Sequence, residues 1–343
     1  MTYKPKKHKG IFLSWLSSYL FILLIPLTIS IFAYTQSIYI IETEINRANS
    51  ASLKQVQQII DSRLKDIEKL SVEIAFNEKI RGLVGYSKSL TPHQIYTTTN
   101  IINDIKIYKI ANAFINDLYV YFRYNNFVLG PNGKCSSAEF HEFYCKDYGQ
   151  DLEEWLRMLN RNHPGEYKAL GNPKEQRLSK KIIFARSLPI EFLNETGGVI
   201  VIGMDESTLI KALQDINWVH QGIIMVTDQS DNIIMSTQRG TDKTHILKSH
   251  NFDKPQGLLH RKIKGEEYIV SYIKSDVTGW NYISVLPTRI FLDKAKYIKK
   301  ISIVSTAICL LIGGWIAYLF SKRNYSPVKK NGGYIGKKRR YSG

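Results

Sequence analysis

The sequence predicts an α+β fold anchored in a membrane by two helices, with a long N-terminal stalk helix and two modules built on antiparallel sheets. Three observations lead to this prediction. Long uncharged runs stand near both ends of the 343-residue chain. A helical stripe of apolar residues follows the first run. Short alternating segments, separated by turn residues, fill much of the remainder before the second run.

The two uncharged runs predict membrane-spanning helices at residues 11–34 and 299–321. The first run carries no charged side chain. At about 1.5 Å per residue it is longer than a hydrocarbon core of about 30 Å. A cleaved signal peptide has an apolar core of about 7 to 15 residues, so this longer run favours an uncleaved anchor.

The charge of the two tails predicts which side of the membrane each part occupies. The formal net charge is +17, and the tails at 1–10 and 322–343 are basic and contain no acidic residue. Short basic tails remain in the cytoplasm, so both termini are predicted inside the plasma membrane and residues 35–298 outside it. Basic residues beside a membrane favour contact with anionic lipid. Nucleic acid is not a predicted partner of this chain, because no basic recognition helix is visible.

Residues 35–80 are predicted to form the stalk helix. Its apolar residues recur at steps of three and four: Leu53, Val56, Ile60, Leu64, Ile67, Leu70 and Ile74. We expect this stripe to pack on the chain's own sheets. Nearer the membrane we expect it to pair with a second copy of the chain, because a spacing near 3.5 suits a coiled-coil seam. The predicted assembly is therefore a homodimer.

The membrane-distal module is predicted at residues 81–216. A helix begins at Thr91, with Pro92 in its first turn, where the missing N–H costs nothing. Further helices are predicted at 151–159 and 205–216. Strands are predicted at 117–127, 181–188 and 198–204.

The membrane-proximal module is predicted at residues 217–290 and is smaller. Its strands are expected at 222–227, 233–236, 266–273 and 280–286. The connection between the last two, at 275–279, is polar and ends in glycine, as a hairpin loop should.

Two segments carry a resemblance to a known family. They are Gly222-Ile-Ile-Met-Val-Thr-Asp228 and Ser275-Asp-Val-Thr-Gly-Trp-Asn-Tyr-Ile-Ser-Val-Leu-Pro287. Together with the order of the elements over residues 35–298, they resemble the double Cache extracellular sensor domain, whose two modules are PAS-like. This resemblance implies a transmembrane receptor that senses a small extracellular ligand.

A second resemblance lies beyond the second span. The segment Arg323-Asn-Tyr-Ser-Pro-Val-Lys-Lys330 resembles the cytoplasmic segment of membrane-bound AraC-type transcription regulators of Gram-positive bacteria. It implies the sensory half of such a regulator without its helix-turn-helix half, and residues 322–343 are then a truncated linker. The alternatives are the sensory part of a two-component sensor kinase and a membrane-tethered binding protein that transmits no signal.

The resemblance implies a ligand site in the distal module. The candidate residues are Tyr119, Tyr121, Arg123, Tyr144, Tyr148, Trp155, Arg186 and Asp205. Aromatic walls with one guanidinium and one carboxylate would suit a zwitterion or a sugar. Each tyrosine could equally be a core residue with its hydroxyl in water, and the ligand class stays open.

Cys135 and Cys145 could form a disulfide outside the cell or remain two free thiols.

The remaining residue types predict neither catalysis nor a cofactor. No phosphate-binding glycine loop, metalloprotease helix or serine nucleophile elbow is visible in the sequence. We therefore expect a protein that is not an enzyme and that holds neither a metal nor a cofactor.

Overall fold

The computed structural model of the chain describes residues 8–85, 90–144, 151–171, 180–190, 197–213, 216, 222–238, 254–263, 265–289, 297–316 and 318–319. The chain divides into two compact units. One consists of Arg47–Pro287, and the other consists of Met1–Asn46 with Thr288–Gly343. A single helix, α1 (His8–Ala75), contributes residues to both units.

The larger sheet has six antiparallel strands. They are β1 (Asp117–Phe122), β2 (Phe127–Gly130), β3 (Gly133–Ser136), β4 (Pro164–Leu170), β5 (Lys181–Leu188) and β6 (Gly198–Asp205). Their order across the sheet is β3-β2-β1-β6-β5-β4. Strand β6 is buried along almost its whole length, as is typical of a central strand covered on both faces.

Five further helices of the described chain accompany this sheet: α2 (Glu78–Val84), α3 (Pro92–Ala111), α4 (Ser137–Tyr144), α5 (Leu152–Asn160) and α6 (Glu206–Lys211). The predicted start of α3 is confirmed. The Thr91 hydroxyl accepts a hydrogen bond from the Gln94 N–H, and the Gln94 side chain accepts one from the Thr91 N–H at 2.9 Å. This reciprocal cap satisfies two N–H groups that the first turn would otherwise leave unpaired.

The smaller sheet has five antiparallel strands. They are β7 (Ile223–Thr227), β8 (Ile233–Ser236), β9 (Gln256–Ile263), β10 (Glu266–Lys274) and β11 (Asn281–Pro287), in the order β8-β7-β11-β10-β9. The predicted hairpin loop between β10 and β11 is confirmed. Gly279 takes a φ of 71° there, a left-handed conformation that glycine adopts without strain, and its N–H donates to the Ser275 carbonyl at 3.1 Å.

Helix α1 shares one hydrophobic core with both sheets. The whole predicted stripe from Leu53 to Ile74 is buried there, together with Phe184 and Ile202 of the larger sheet and Tyr282 of the smaller one. The two sheets therefore belong to one unit in which α1 is the common support. The stripe packs on the chain's own sheets as predicted; its pairing with a second copy stays a prediction.

Several predicted elements differ from the observed ones. The predicted strand at 117–127 is two strands, because Asn126 turns the chain with a φ of 47°, which asparagine tolerates better than most residues. The predicted stalk helix 35–80 ends at Ala75, and Asn77 caps the separate helix α2. The predicted helix at 205–216 is observed as α6, which begins one residue later because Asp205 still belongs to strand β6. Residues 214–215 lie outside the described part of the chain. Strands β3, β4 and β9 and helix α4 are not among the predicted elements.

The other unit is described at residues 8–46 and along α7 (Tyr297–Ile316). Among the described residues, α7 is the one helix long and apolar enough to cross a membrane, with a mean hydropathy of 1.5. The predicted span 11–34 falls on α1, and the structure does not describe the side chains of residues 8–23 and 26. Within this unit the Ser30 Oγ and Thr306 Oγ1 atoms, one on each helix, are 2.8 Å apart and share a hydrogen bond.

Candidate functional site

The face of the six-stranded sheet that is turned away from α1 carries most of the predicted site residues, and we call it the aromatic face. Neighbouring strands place Tyr119 beside Val201 and Tyr121 beside Val199 on this face. Helices α4 and α5 cover it and contribute Phe140 and the fully buried Trp155 to the same apolar cluster.

The rings of the aromatic face contact one another directly. Phe140 is central: its ring centroid lies 4.4 Å from that of Tyr119 in an edge-to-face arrangement, 5.1 Å from that of Tyr144 and 5.8 Å from that of Trp155. Tyr119 also contacts Tyr144, at 5.3 Å. Such arrangements add about 0.5 to 1.5 kcal/mol per pair beyond the area that they bury. The aromatic face is thus covered by a continuous layer of rings, and Phe140 of α4 is the central one.

Charged side chains stand at one end of the aromatic face, where β1 and β5 begin and β6 ends. Asp117, Lys181 and Asp205 form this group, which we call the charged cluster. Asp117 accepts hydrogen bonds from the Lys181 ammonium and from the Tyr119 hydroxyl, the latter at 3.0 Å. Asp205 is the cross-strand neighbour of Lys181. Gly203 lies beneath, and a Cβ there would stand 3.1 Å from the Asp117 Cβ, so glycine allows this close packing.

Asp205 differs from Asp117 in that its carboxylate has an unused capacity to accept hydrogen bonds. Burial raises the pKa of Asp205 above its ordinary value, the nearby Lys181 opposes this shift, and Asp117 adds to it. Asp205 precedes α6, but its side chain makes no capping hydrogen bond. A carboxylate that is partly buried and not hydrogen-bonded is suited to bind a cationic group of another molecule.

A hydrogen-bond donor without an acceptor lies on the same face. Trp155 Nε1 is buried, and no acceptor in the described part of the chain reaches it. Buried indole N–H groups usually find a partner. The Tyr121 hydroxyl is engaged with Asn126 at 3.4 Å, and burial raises its pKa. The described residues of the face therefore offer a donor at Trp155 and a carboxylate at Asp205 that make no hydrogen bond within the described chain.

Three predicted site residues have their polar groups engaged within the chain, and one of these residues lies on the other face of the sheet. Arg186 lies on the opposite face, where its Nε donates to Ser71 of α1 at 2.8 Å, and burial lowers its pKa. Alternation along β5 accounts for this placement, since Ala185 faces the aromatic side. The Arg123 guanidinium donates to the Asn160 carbonyl at the end of α5. The Tyr144 hydroxyl accepts a hydrogen bond from Asn132 at 3.0 Å.

Two predicted residues lie outside the described part of the chain. They are Tyr148 and Cys145, so the possible disulfide between Cys145 and the half-buried Cys135 stays a prediction.

Sequence reasoning missed three residues of the site: Phe140, Asp117 and Lys181. Phe140 stands in a short helix that was not predicted. Asp117 and Lys181 are 64 residues apart along the chain, so only the strand order brings them together. One pattern in the sequence indicates the charged cluster: Asp117 and Lys181 are the first residues of β1 and β5, and Asp205 is the last residue of β6, which lies between them.

Known proteins share this architecture. No protein-family profile matches the chain. It is 22% identical over 312 residues to the sensor histidine kinase YesM of Bacillus subtilis (strain 168), covering 89% of this chain and 50% of that protein. It is 19% identical over 319 residues to a probable methyl-accepting chemotaxis protein of Bacillus thuringiensis subsp. konkukian (strain 97-27), covering 92% of this chain and 45% of that one. The chain thus spans about half the length of these curated relatives.

Among solved structures, the ligand-binding domain of Mlp24 with asparagine is similar. Its TM-score is 0.50 at 10% identity, and the match covers 76% of this chain and 98% of that domain. The likeness at this identity is one of fold: an α+β architecture with antiparallel sheets, as in Cache-type extracellular ligand-binding domains.

Proposed function

We propose that this chain is the sensory part of a transmembrane receptor that binds a small extracellular ligand on the aromatic face. The observation that carries the proposal is the pair of unused polar groups there, the Asp205 carboxylate and Trp155 Nε1, on a fold shared with ligand-binding domains. A few polar groups among aromatic side chains are typical of small-molecule sites. The chain would act as a receptor and not as an enzyme.

The two free groups indicate the chemistry of the ligand. Asp205 would bind an ammonium group, and Trp155 Nε1 would donate to a carbonyl or carboxylate oxygen. A zwitterion carries both groups, which favours it over a sugar. Mlp24's domain was solved with asparagine, which is such a molecule. In this proposal the domain belongs to the double Cache type, with the six-stranded sheet as its ligand-binding module.

Signal transmission would use the two helices that join the domain to the membrane. In the proposed topology α1 and α7 both span the bilayer and both termini are cytoplasmic, with the sheets outside. The Ser30–Thr306 hydrogen bond joins hydroxyls of these helices, and such bonds contribute about 0.6 kcal/mol on average inside membranes. Ligand binding would then shift the population between two arrangements of the helices, within a homodimer paired through the stalk.

The output half is a separate part of the proposal. Relatives of the kinase and chemoreceptor types each extend well beyond the matched region. These relatives support a sensor kinase or a chemoreceptor, whereas an AraC-type regulator rests on the resemblance of residues 323–330 alone. Sequencing the DNA beyond the codon for Gly343 distinguishes them by the domain that it encodes.

Binding is tested on the full chain reconstituted in lipid nanodiscs, with thermal unfolding measured in the presence of each of the twenty amino acids. We expect at least one amino acid to raise the unfolding temperature in a saturable way. Asp205→Asn should weaken the affinity at least tenfold, because the ammonium loses its counter-charge. Trp155→Phe, which removes the N–H but keeps an aromatic ring, should weaken it less.

Glu267→Gln is the matched control, because Glu267 is an exposed carboxylate on the other sheet. It should bind like the wild type. A response that Asp205→Asn and Trp155→Phe both leave unchanged would place the ligand elsewhere and contradict the proposal.

A further inference from the structure

A cavity of about 420 Å³ lies between α1 and the edge of the five-stranded sheet. Leu53 and Lys54 of α1 line one side, and Leu258, Ser271 and Ile273 of β9 and β10 line the other. Strand β9 is the edge strand of this sheet. Since the aromatic face belongs to the other sheet, a molecule bound here would be a second ligand.

The hydrogen bonds around Ser271 leave the hydrogen of its hydroxyl unused. Asn49 of α1 is buried and uses both ends of its amide: its Nδ2 donates to Ser271 Oγ at 2.9 Å, and its Oδ1 accepts from Ser284 at 2.8 Å. The Ser271 oxygen is thus an acceptor, and no acceptor within the described residues takes its own hydrogen. Ser271 is 1% exposed. A buried hydroxyl without an acceptor costs free energy, which an acceptor atom of a bound molecule would recover.

Among the described residues that line the cavity, the one charged side chain is that of Lys54, which is positive. Lys54 stands at its rim with an exposed side chain, and no described acidic residue makes an ion pair with it or lines the cavity. Ser50, Gln256 and Tyr272 also line the cavity, and Leu53, Leu258 and Ile273 form the apolar part of the remaining walls. A fitting molecule therefore has an anionic acceptor group for Ser271 and Lys54 and an apolar body for these side chains.

We propose that this cavity binds a small organic carboxylate and that the bound molecule joins α1 to the edge strand β9. The carboxylate would accept a hydrogen bond from the Ser271 hydroxyl and pair with the Lys54 ammonium. Because α1 is the helix that leads towards residues 8–46, occupancy would act on the same helix that supports both sheets. This second site is independent of the ligand on the aromatic face.

Binding is measured by isothermal titration of the full chain in lipid nanodiscs with hexanoate and benzoate, whose apolar bodies suit the walls. We expect saturable binding of at least one of them. The neutral probes hexanamide and benzamide should bind at least tenfold more weakly, because they lack the charge. Lys54→Gln removes the ammonium and Ala51→Trp fills the cavity from a lining position on α1. Each should weaken binding at least tenfold.

Two control variants test whether the probes bind in this cavity and not at another lysine or on the aromatic face. Lys69→Gln removes a lysine elsewhere on α1 and should bind the probes like the wild type. Asp205→Asn should also bind them normally, since it alters the aromatic face. The proposal is overturned if both probes show dissociation constants above about 10 mM, if the amides bind equally well, if Lys54→Gln or Ala51→Trp binds fully, or if Asp205→Asn loses binding.

Discussion

The two sheets differ in how the buried carboxylate beside each of them is hydrogen-bonded. Asp61 of α1 faces the five-stranded sheet and accepts hydrogen bonds from Tyr282 at 2.8 Å and from Ser275 at 2.9 Å. Asp205, on the aromatic face of the six-stranded sheet, makes no such bonds with the described residues. Burial raises the pKa of both groups. A carboxylate whose acceptor capacity is used within the chain supports the fold, whereas an unused one is available to another molecule.

The same contrast extends to the neighbours of these carboxylates. Around Asp61, the Tyr167 hydroxyl donates to the Leu64 carbonyl of α1 at 2.7 Å, and its ring contacts Trp280 at 5.5 Å. Tyr167 belongs to the six-stranded sheet and Trp280 adjoins the five-stranded one, so this junction connects both sheets to α1. We therefore expect substitutions at the junction to lower stability, and substitutions on the aromatic face to change binding.

The largest loss of stability is expected for Asp61→Ala. Two buried hydroxyls, those of Ser275 and Tyr282, would lose their acceptor, and each such loss costs about 1 to 3 kcal/mol. We expect the free energy of unfolding to fall by about 3 kcal/mol, measured by urea denaturation of the full chain in detergent. Asp66→Ala is the control, because Asp66 is exposed on the same helix and its ion pair with Arg63 contributes little. Equal losses for the two variants would contradict the contrast.

A smaller loss is expected for Asn49→Leu. Leucine fills a similar volume but leaves the Ser271 and Ser284 hydroxyls without their amide partner. The expected loss is about 2 kcal/mol in the same denaturation experiment. Asn103→Leu, at an exposed position of α3, should change stability by less than about 0.5 kcal/mol. A loss at Asn49 no larger than at Asn103 would show that the amide does not hold α1 to the sheet.

The pH dependence of stability separates the charge of Asp61 from its hydrogen bonds. Because burial raises its pKa in the folded state above the usual 3.8, the folded chain binds this proton more tightly than the unfolded chain. Ionisation therefore costs stability, and the contribution of Asp61 declines as the pH rises from about 3.8 through the raised pKa. The difference in unfolding free energy between wild type and Asp61→Asn should decline over that interval. A difference that grows with pH would mean that the carboxylate is stabilised by charge.

Much of this arrangement was predictable from the sequence, but its long-range pairings were not. The stripe of α1, the start of α3 at Thr91 and the loop 275–279 are local patterns, and each was predicted. Alternation also placed Tyr119 and Tyr121 on one face correctly. Strand β4 begins with Pro164 and Gly165, which are typical of a turn, so its pairing with β5 provides the evidence that it is a strand. The charged cluster depends on the order of β1, β6 and β5, which local patterns do not encode.

The smallest effect on stability is expected for Asp205→Asn, and it tests the contrast most directly. The carboxylate accepts no hydrogen bond from the described residues, and asparagine removes a charge that burial disfavours. We expect the free energy of unfolding to change by less than about 0.5 kcal/mol without ligand, because no partner is left unsatisfied. If Asp205→Asn instead destabilised the chain as strongly as Asp61→Ala, its carboxylate would be part of the internal framework. The aromatic face would then lose the free anion of the proposed site, and a ligand there would have to be bound by Trp155 and the tyrosines alone.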